Sequence, residues 1–350
     1  MKILFIGLGS AGQRHMRNLK RILGEEAEFI AYRVRKLDRL FDDNLNVVEG
    51  QSVGEAYHIK EFDDLEKALD EQPDVAFISN PNSMHIPCAI QVARRGIDIF
   101  LEKPVSSSME GIEELQRIVK EKQLILYVGY QMRLHPCIAK LKKDIENERI
   151  GKIVSVDCQM GELLTRMHKY EDYRCMNESR RVTGGGVVLC QIHELDYLYW
   201  VFGMPMEVFS IGGKYSELEI EVEDGATTLC KYQKDGYIFP IVIHQDFLQT
   251  PPVRKCKVIG TEGQIELDLL ENQYTLYTRE AVREERFVNF TRNDMFMEEG
   301  KRFLDYVKTR KQEALTLEDG LGSLKIALAI KESMEIGTSV EIDNVLKKGE

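Results

Sequence analysis

The sequence lacks several features that would otherwise point to a function at once. It has no apolar run long enough to cross a bilayer, so no membrane partner is expected. It has no excess of basic charge: 47 Lys and Arg stand against 58 Asp and Glu, a net charge of −11 at pH 7. Nucleic acids and anionic membranes call for a basic surface, so neither is expected as the main partner. A local basic pocket for a small anion remains compatible with this balance. The 7 cysteines (Cys88, Cys137, Cys158, Cys175, Cys190, Cys230 and Cys256) are scattered, odd in number and never in C-x-x-C spacing. That is the pattern of reduced thiols, and a cytoplasmic protein is expected. No zinc helix is spelled out, because His193-Glu194 has no second histidine at the required spacing. No metal site is expected, and no nucleophile elbow is read. Repeats and low-complexity tracts are missing. The first strand is read beside Met1, so no signal peptide is expected.

What is present begins at once. Ile3–Ile6 is a short apolar run, followed by Gly7, Gly9 and Gly12 in G-x-G-x-x-G spacing and then an amphipathic stretch, Gln13–Leu23. Strand, tight turn and helix start stand in the order a dinucleotide fingerprint requires. Gly7 permits the turn, Gly9 leaves room for a pyrophosphate, and Gly12 lets helix and strand pack closely. Ser10 and Ala11 complete the loop, whose free N–H groups face the phosphates with the positive end of the helix dipole behind them. Glu28–Arg33 is a second strand. At its end, about 20 residues after Gly12, an acidic residue would hold the adenosine ribose of NAD. The positions instead read Tyr32, Arg33, Val34, Arg35 and Lys36. Arg33 and Arg35 suit the 2′-phosphate of NADP, so NADP is preferred over NAD.

The next strands are Asp74–Ser79, Ile97–Leu101 and Leu124–Val128, separated by helices at Met84–Arg95 and Met109–Lys122. Asp63 reads as the cap of an intervening short helix. Asn80, Pro81, Asn82 and Ser83 follow one strand, and Glu102, Lys103 and Pro104 follow another. Both groups lie at carboxyl ends, where open α/β sheets bind ligands. Lys103 is a candidate catalytic cation, and the bond before Pro104 is a candidate for cis geometry. Residues 1–128 therefore read as a doubly wound parallel sheet, a Rossmann domain.

The pattern changes after Gly129. Gln131, Arg133, His135 and Pro136 lead into a helix, Cys137–Glu148. Alternating strands follow at Lys152–Met160, Glu207–Lys214, Gly225–Gln233, Tyr237–Phe247, Val253–Ile259 and Gln264–Leu270, the last two joined by the turn Gly260–Gly263. Residues 129–350 are expected to form an α+β domain with a large open, mostly antiparallel sheet. One free apolar face would suit a homodimer or homotetramer. Tyr170, Asp172, Tyr173 and Arg174 make a polar, aromatic cluster. Gly184–Gly186 then open a helix running to Gly203, on which His193 and Asp196 share one side. His193 is a candidate general acid/base, or else a core histidine bonded to Asp196. Helices at Asn293–Arg310 and Leu317–Ile336, the latter capped by Thr316, close the chain, and the last helix is expected to pack back on the first half.

Together the stretches GLGSAGQRHMRNL, ISNPNSMH, LEKPVSSS, YQMRLHP, GGGVVLCQIHELDYL and GTEGQIELD resemble, in order, the glucose-fructose oxidoreductase/inositol dehydrogenase (Gfo/Idh/MocA) family. The resemblance implies hydride transfer between a nicotinamide and the hydroxyl or ketone of a sugar, nucleotide sugar or cyclitol. It implies that Lys103 hydrogen-bonds the reacting oxygen and that His193 takes the hydroxyl proton. Asn80, Pro81, Asn82, His85, Glu102 and Gln131 would line or hold the cofactor. Arg133, Gln191 and, outside any general family motif, Tyr170 and Arg174 would meet substrate. Many members carry an aspartate four residues before the histidine, and here Leu189 stands there. The relay would then use Gln191, Glu194 or a tyrosine, or lack a third member. The stretches GSAGQRH and HELDYL look like a branch tied to surface-polysaccharide and nonulosonate sugars. The same resemblance leaves open a cofactor-sensing regulator that lost its chemistry, or a glycosidase using NAD transiently.

Overall fold

The structure is a computed structural model that describes residues 1–35 and 39–345. Lys36 lies outside the described residues. The chain divides into two compact units, the first comprising 1–130 and 292–320 and the second 131–291 and 321–350. The first division lies beside the boundary read at 128/129; the segment that returns to the first unit is 292–320, whereas residues 321–336 of the last long helix belong to the second.

In the first unit six parallel strands, β1 (Lys2–Ile6), β2 (Glu28–Tyr32), β3 (Lys60–Phe62), β4 (Val75–Ile78), β5 (Asp98–Glu102) and β6 (Leu126–Gly129), lie in the order β3-β2-β1-β4-β5-β6. The helices α1 (Ser10–Leu23), α2 (His85–Arg94) and α3 (Ile112–Lys122) serve as crossovers between them. The order reverses between β1 and β4, and a ligand of such a sheet binds at that switch point. Register places Phe5 beside Phe77, Phe77 beside Phe100, and Phe100 beside Tyr127. The four rings stack in sequence at 5.4, 4.7 and 5.3 Å between centroids. This ladder explains the late return of the chain. Phe303, on the helix Arg292–Thr309, sets its ring edge-on against Phe77, Phe100 and Tyr127. Gly300 of the same helix lets it approach α1, where an added Cβ would stand 3.3 Å from Ile22. Burying these rings outweighs any benefit of a contiguous second domain.

In the second unit the helix α4 (Pro136–Glu146) precedes a nine-stranded sheet. Its strands are β7 (Ile153–Gly161), β8 (Glu207–Gly213), β9 (Gly225–Lys234), β10 (Tyr237–Asp246), β11 (Val253–Gly260), β12 (Gly263–Asp268), β13 (Gln273–Thr278), β14 (Val282–Arg286) and β15 (Val340–Glu341). The order is β14-β13-β12-β11-β7-β10-β9-β8-β15, and every pairing is antiparallel except β7 with β10. Along the central strands buried and exposed side chains largely alternate: Cys158, Cys230 and Cys256 are buried, while Phe209, Ile211, Leu229 and Ile238 remain exposed. The sequence pattern missed β3, β13 and both edge strands of this sheet, β14 and β15, and β14 is exposed along its length.

Two local readings change. The short helix Leu65–Asp70 is capped by Asp64, whose carboxylate accepts from the N–H groups of Glu66 and Lys67, and not by Asp63. The helix expected from Gly186 to Gly203 is two helices, α5 (Val187–Cys190) and α6 (Ile192–Phe202), with a break at Gln191. The cause is tertiary. The Gln191 side chain donates to the carbonyl of Asp246, and the Gln245 side chain donates to the carbonyl of Gln191, both at 2.9 Å. Strand β10 thus draws that peptide out of the helical ladder. Thr316 caps Leu317–Ile336 as expected, reciprocally with Asp319.

Candidate active site

The glycine loop has the form that its spacing demands. Gly7 adopts φ 94°, and a Cβ on it would lie 2.9 Å from the backbone of Ser79 and Asn80. A Cβ on Gly12 would lie 2.5 Å from the Gly7 carbonyl, so the close approach of α1 to β1 depends on a missing side chain. Gly9 differs from both: nothing stands within 4 Å of where its Cβ would be. It caps α1 without a side-chain hydrogen bond, and the first turn carries no acidic residue. Ser10 and Ala11 begin that turn. Unclaimed N–H groups at a helix start, opening on space and unopposed by a carboxylate, suit a pyrophosphate.

The loops after β4 and β5 flank this turn because β4 neighbours both β1 and β5. The Asn80 side chain donates to Cys88 Sγ, while its Oδ1 is buried without a partner. Pro81 and the buried Asn82 begin the short turn Asn82–Met84. His85 is almost wholly buried and braces both loops. Its Nε2 lies 2.9 Å from the Asn80 carbonyl and its Nδ1 2.7 Å from that of Pro104. Burial lowers the pKa of this ring from its ordinary value, against the pull of the two carbonyls. Its place is therefore behind the loops. Glu102 is held similarly. His15 of α1 lies 2.6 Å from one carboxylate oxygen, and the Lys103 N–H donates to the other at 3.1 Å. Burial raises the Glu102 pKa, but the His15 hydrogen bond and charge, with Lys103 beside it, bring it below the ordinary value. His15 was not singled out in the sequence. The lone signal is that it falls one turn after Gly12 on the inward face of α1. Lys103 follows Glu102 directly, half-buried, and the Lys103–Pro104 peptide is cis.

The two arginines after β2 separate. Arg33 is buried and ion-paired with Glu61 of β3, whereas Arg35 is exposed. No carboxylate stands at the end of β2 itself, but one reaches it from the neighbouring strand.

In the second unit His193 is the second residue of α6 and is 6% exposed. The Gln131 Nε2 lies 3.1 Å from its Nε2. Gln131 therefore stands beside the histidine in this unit. Arg133 is committed to Asp196 through Nε at 2.9 Å and a terminal nitrogen at 2.7 Å, with both side chains almost fully buried. The pair ties the turn before α4 to the middle of α6. Glu194 is wholly buried and paired with Arg254 of β11 at 2.7 Å. Beneath it, Cys158 and Cys256 face each other across β7 and β11. The hydrogen bond with Cys256, then burial, pushes the Cys158 thiol well up, so it is an inert core thiol. His135 caps α4. Its Nδ1 accepts from the Cys137 N–H at 3.2 Å, and its Nε2 stands 3.2 Å from Asn272 Oδ1. Burial lowers its pKa to about 4.

Tyr170 is half-buried, its hydroxyl 2.9 Å from His168 Nδ1. Arg174 is exposed and clamped between Asp172 and Glu219. Its charge is answered locally. One motif went unread: Gly50-Gln51-Ser52-Val53-Gly54 has the spelling of a nucleophile elbow. Its Ser52 is the cap of a five-residue helix, bonded reciprocally to Glu55, and not a nucleophile. Among the described residues no group of His, Cys, Asp and Glu could hold a metal ion, and no helix is long and apolar enough to cross a membrane.

Residues 1–130 match the family model GFO_IDH_MocA, described as an oxidoreductase family with an NAD-binding Rossmann fold. Residues 142–342 match its companion, the C-terminal alpha/beta domain of the oxidoreductase family. The chain is 27% identical to a myo-inositol 2-dehydrogenase of Thermotoga maritima, over 99% of this chain and 100% of that one. It is 26% identical to a scyllo-inositol 2-dehydrogenase (NAD(+)) of Bacillus subtilis, over 80% of this chain and 81% of that one. Among solved structures, the WlbA dehydrogenase of Bordetella pertussis, in complex with NADH and UDP-GlcNAcA, shares the fold with a TM-score of 0.78 at 19% identity. That match covers 97% of this chain and 98% of the other.

Proposed function

Because the chain belongs to the Gfo/Idh/MocA oxidoreductase family, with its NAD-binding Rossmann domain, we propose that it moves a hydride between a nicotinamide cofactor and a hydroxyl-bearing carbon of a cyclitol, sugar or nucleotide sugar. The observation that carries this reading is the β1–α1 turn. An uncapped helix start opens on empty space at Gly9, beside the unpartnered Oδ1 of Asn80 and one strand away from Lys103. The bound nicotinamide supplies the hydride acceptor. Ser10, Ala11 and Gly12 offer backbone N–H groups to its phosphates. Lys103 hydrogen-bonds the reacting oxygen and stabilises negative charge on it. His193 takes the hydroxyl proton at an imidazole nitrogen as the carbon loses hydride.

NADP remains the preferred cofactor in this reading, with a changed assignment. Arg33 is engaged by Glu61, so the exposed Arg35 is the cation better placed for a 2′-phosphate. A clear NAD preference in paired titrations would overturn that part alone. A cytoplasmic location accords with buried, unpaired thiols at Cys88, Cys137, Cys158, Cys230 and Cys256. The exposed apolar side chains of β8, β9 and β10 would meet a second copy of the chain. Phe209 and Leu229 stand directly opposite each other there.

The test is to mix the purified protein with NAD or NADP and a panel of cyclitols, sugars and nucleotide sugars, and to follow the absorbance of reduced nicotinamide. Turnover with at least one compound is expected. Lys103→Met and His193→Ala should each abolish it while NADH still binds. Retained turnover in both variants would remove the assignment.

A further inference from the structure

His193 is only as useful as the nitrogen it presents, and the second unit contains a residue that decides this. Gln191 gives its amide nitrogen to the carbonyl of Asp246 and Glu194 one carboxylate oxygen to Arg254, while Gln191 Oε1 and Glu194 Oε2 stay buried. A side chain that reaches the ring is Gln131, itself 5% exposed, with its amide nitrogen 3.1 Å from His193 Nε2. An amide nitrogen can only donate. The contact is therefore a hydrogen bond only if Nε2 carries a lone pair and the ring proton resides on Nδ1. The other end of the amide, Oε1, is buried and has no partner. Gln131 is thus held in place through its contact with the histidine, and its Oε1 is an acceptor not yet answered.

We propose that Gln131 is the positioning residue of His193. It fixes the imidazole in the tautomer whose Nε2 accepts a proton, and it occupies that lone pair until a substrate hydroxyl displaces it. The inference rests on His193 being the base of the proposed reaction. Distance in sequence hides the pair: 62 residues separate Gln131 from His193, and only the fold of this unit brings them together. The displaced amide keeps a donor and an acceptor, which suits a polyhydroxylated substrate carrying a second hydroxyl near the one oxidised.

The experiment uses the full-length protein labelled with 15N-histidine, with the His193 resonances assigned by their loss in His193→Gln. At mildly alkaline pH the wild-type ring should show the pattern of a proton on Nδ1. Gln131→Glu keeps the shape but can only accept, so it should move the proton to Nε2. Gln131→Leu removes both functions and should give a mixture of tautomers. With myo-inositol and NAD or NADP as probes, kcat should fall about 10- to 100-fold in both variants. A wild-type ring protonated at Nε2, or a tautomer indifferent to both substitutions, would overturn the proposal. If Gln131→Glu fails to fold, Gln131→Leu decides alone. The tautomer is read without turnover, so a protein inert to every probe would count against the proposed reaction while the spectra still judged Gln131.

Discussion

The turn at Gly7–Gly12 and the start of α6 at His193 are built by opposite means. The turn is a local object. Its three glycines, the strand before it and the helix after it lie within one short stretch of chain, and each missing side chain has a local reason. The α6 start is assembled from a distance. Gln245 and Asp246 break the helix at Gln191, Arg133 grips Asp196, Arg254 grips Glu194, and Gln131 meets the ring of His193. The lesson is that a cofactor loop is written in spacing, whereas the surroundings of an acid/base residue are written in packing.

The sharpest way to break this contrast is to attack the long-range contacts. Asp196→Asn leaves a buried guanidinium without its charge partner. Losing one side of such a pair costs about 3–5 kcal/mol, which urea unfolding followed by circular dichroism will show. A loss below about 1 kcal/mol would mean that the pair is no anchor of α6.

His135 gives a comparable effect that depends on pH. Its pKa is about 4 in the folded protein against an ordinary 6.5. The unfolded chain therefore takes up this proton first as pH falls. The contribution is present in full above the unfolded value and is lost between 6.5 and about 4. The difference amounts to roughly 3 kcal/mol. In His135→Gln that acid-side slope should flatten. Parallel slopes for variant and wild type would show that the ring is not the titrating group.

On the local side the glycines should part company. Gly12→Ala places a Cβ against the Gly7 carbonyl, at an overpacking cost of about 1–3 kcal/mol, and both Tm and NADH affinity should fall. Gly9→Ala meets nothing in the protein, so stability should change by less than about 0.5 kcal/mol. Its NADH affinity alone should drop, as read by nicotinamide fluorescence. Equal behaviour of the two variants would dissolve the distinction between packing glycine and ligand glycine. The smallest effect on the fold should come from Ile211→Asp on the exposed sheet face, again within about 0.5 kcal/mol. Light scattering after gel filtration should nevertheless show a smaller assembly. An unchanged mass would remove the second copy from that face.

The elements whose apolar period was clean were legible before any coordinates: β1, α1, the hairpin at Gly260–Gly263 and the helix Leu317–Ile336 all stand where their pattern placed them. Edge strands were not, because β14 has no buried face to impose alternation. Among site residues, Gly7, Gly9 and Gly12 could be read with their reasons attached. Arg33, Arg133 and Arg174 could be read as cations but not as cations already paired, since Glu61, Asp196 and Glu219 are assigned to them only by folding. His15 and His85 lie behind the loops they brace, and no spacing rule says which way a helical histidine faces.

The sequence alone determined the dinucleotide turn, the parallel sheet behind it and the change to a meander beyond Gly129, because backbone geometry and side-chain period are properties of neighbours along the chain. Tertiary structure alone decided that 292–320 is the segment returning to the first sheet, that the helix breaks at Gln191 and that Gln131 meets His193. Each of these is a competition between contacts far apart in sequence. Such competitions are won by burying aromatic rings and satisfying buried polar groups, which no local pattern records.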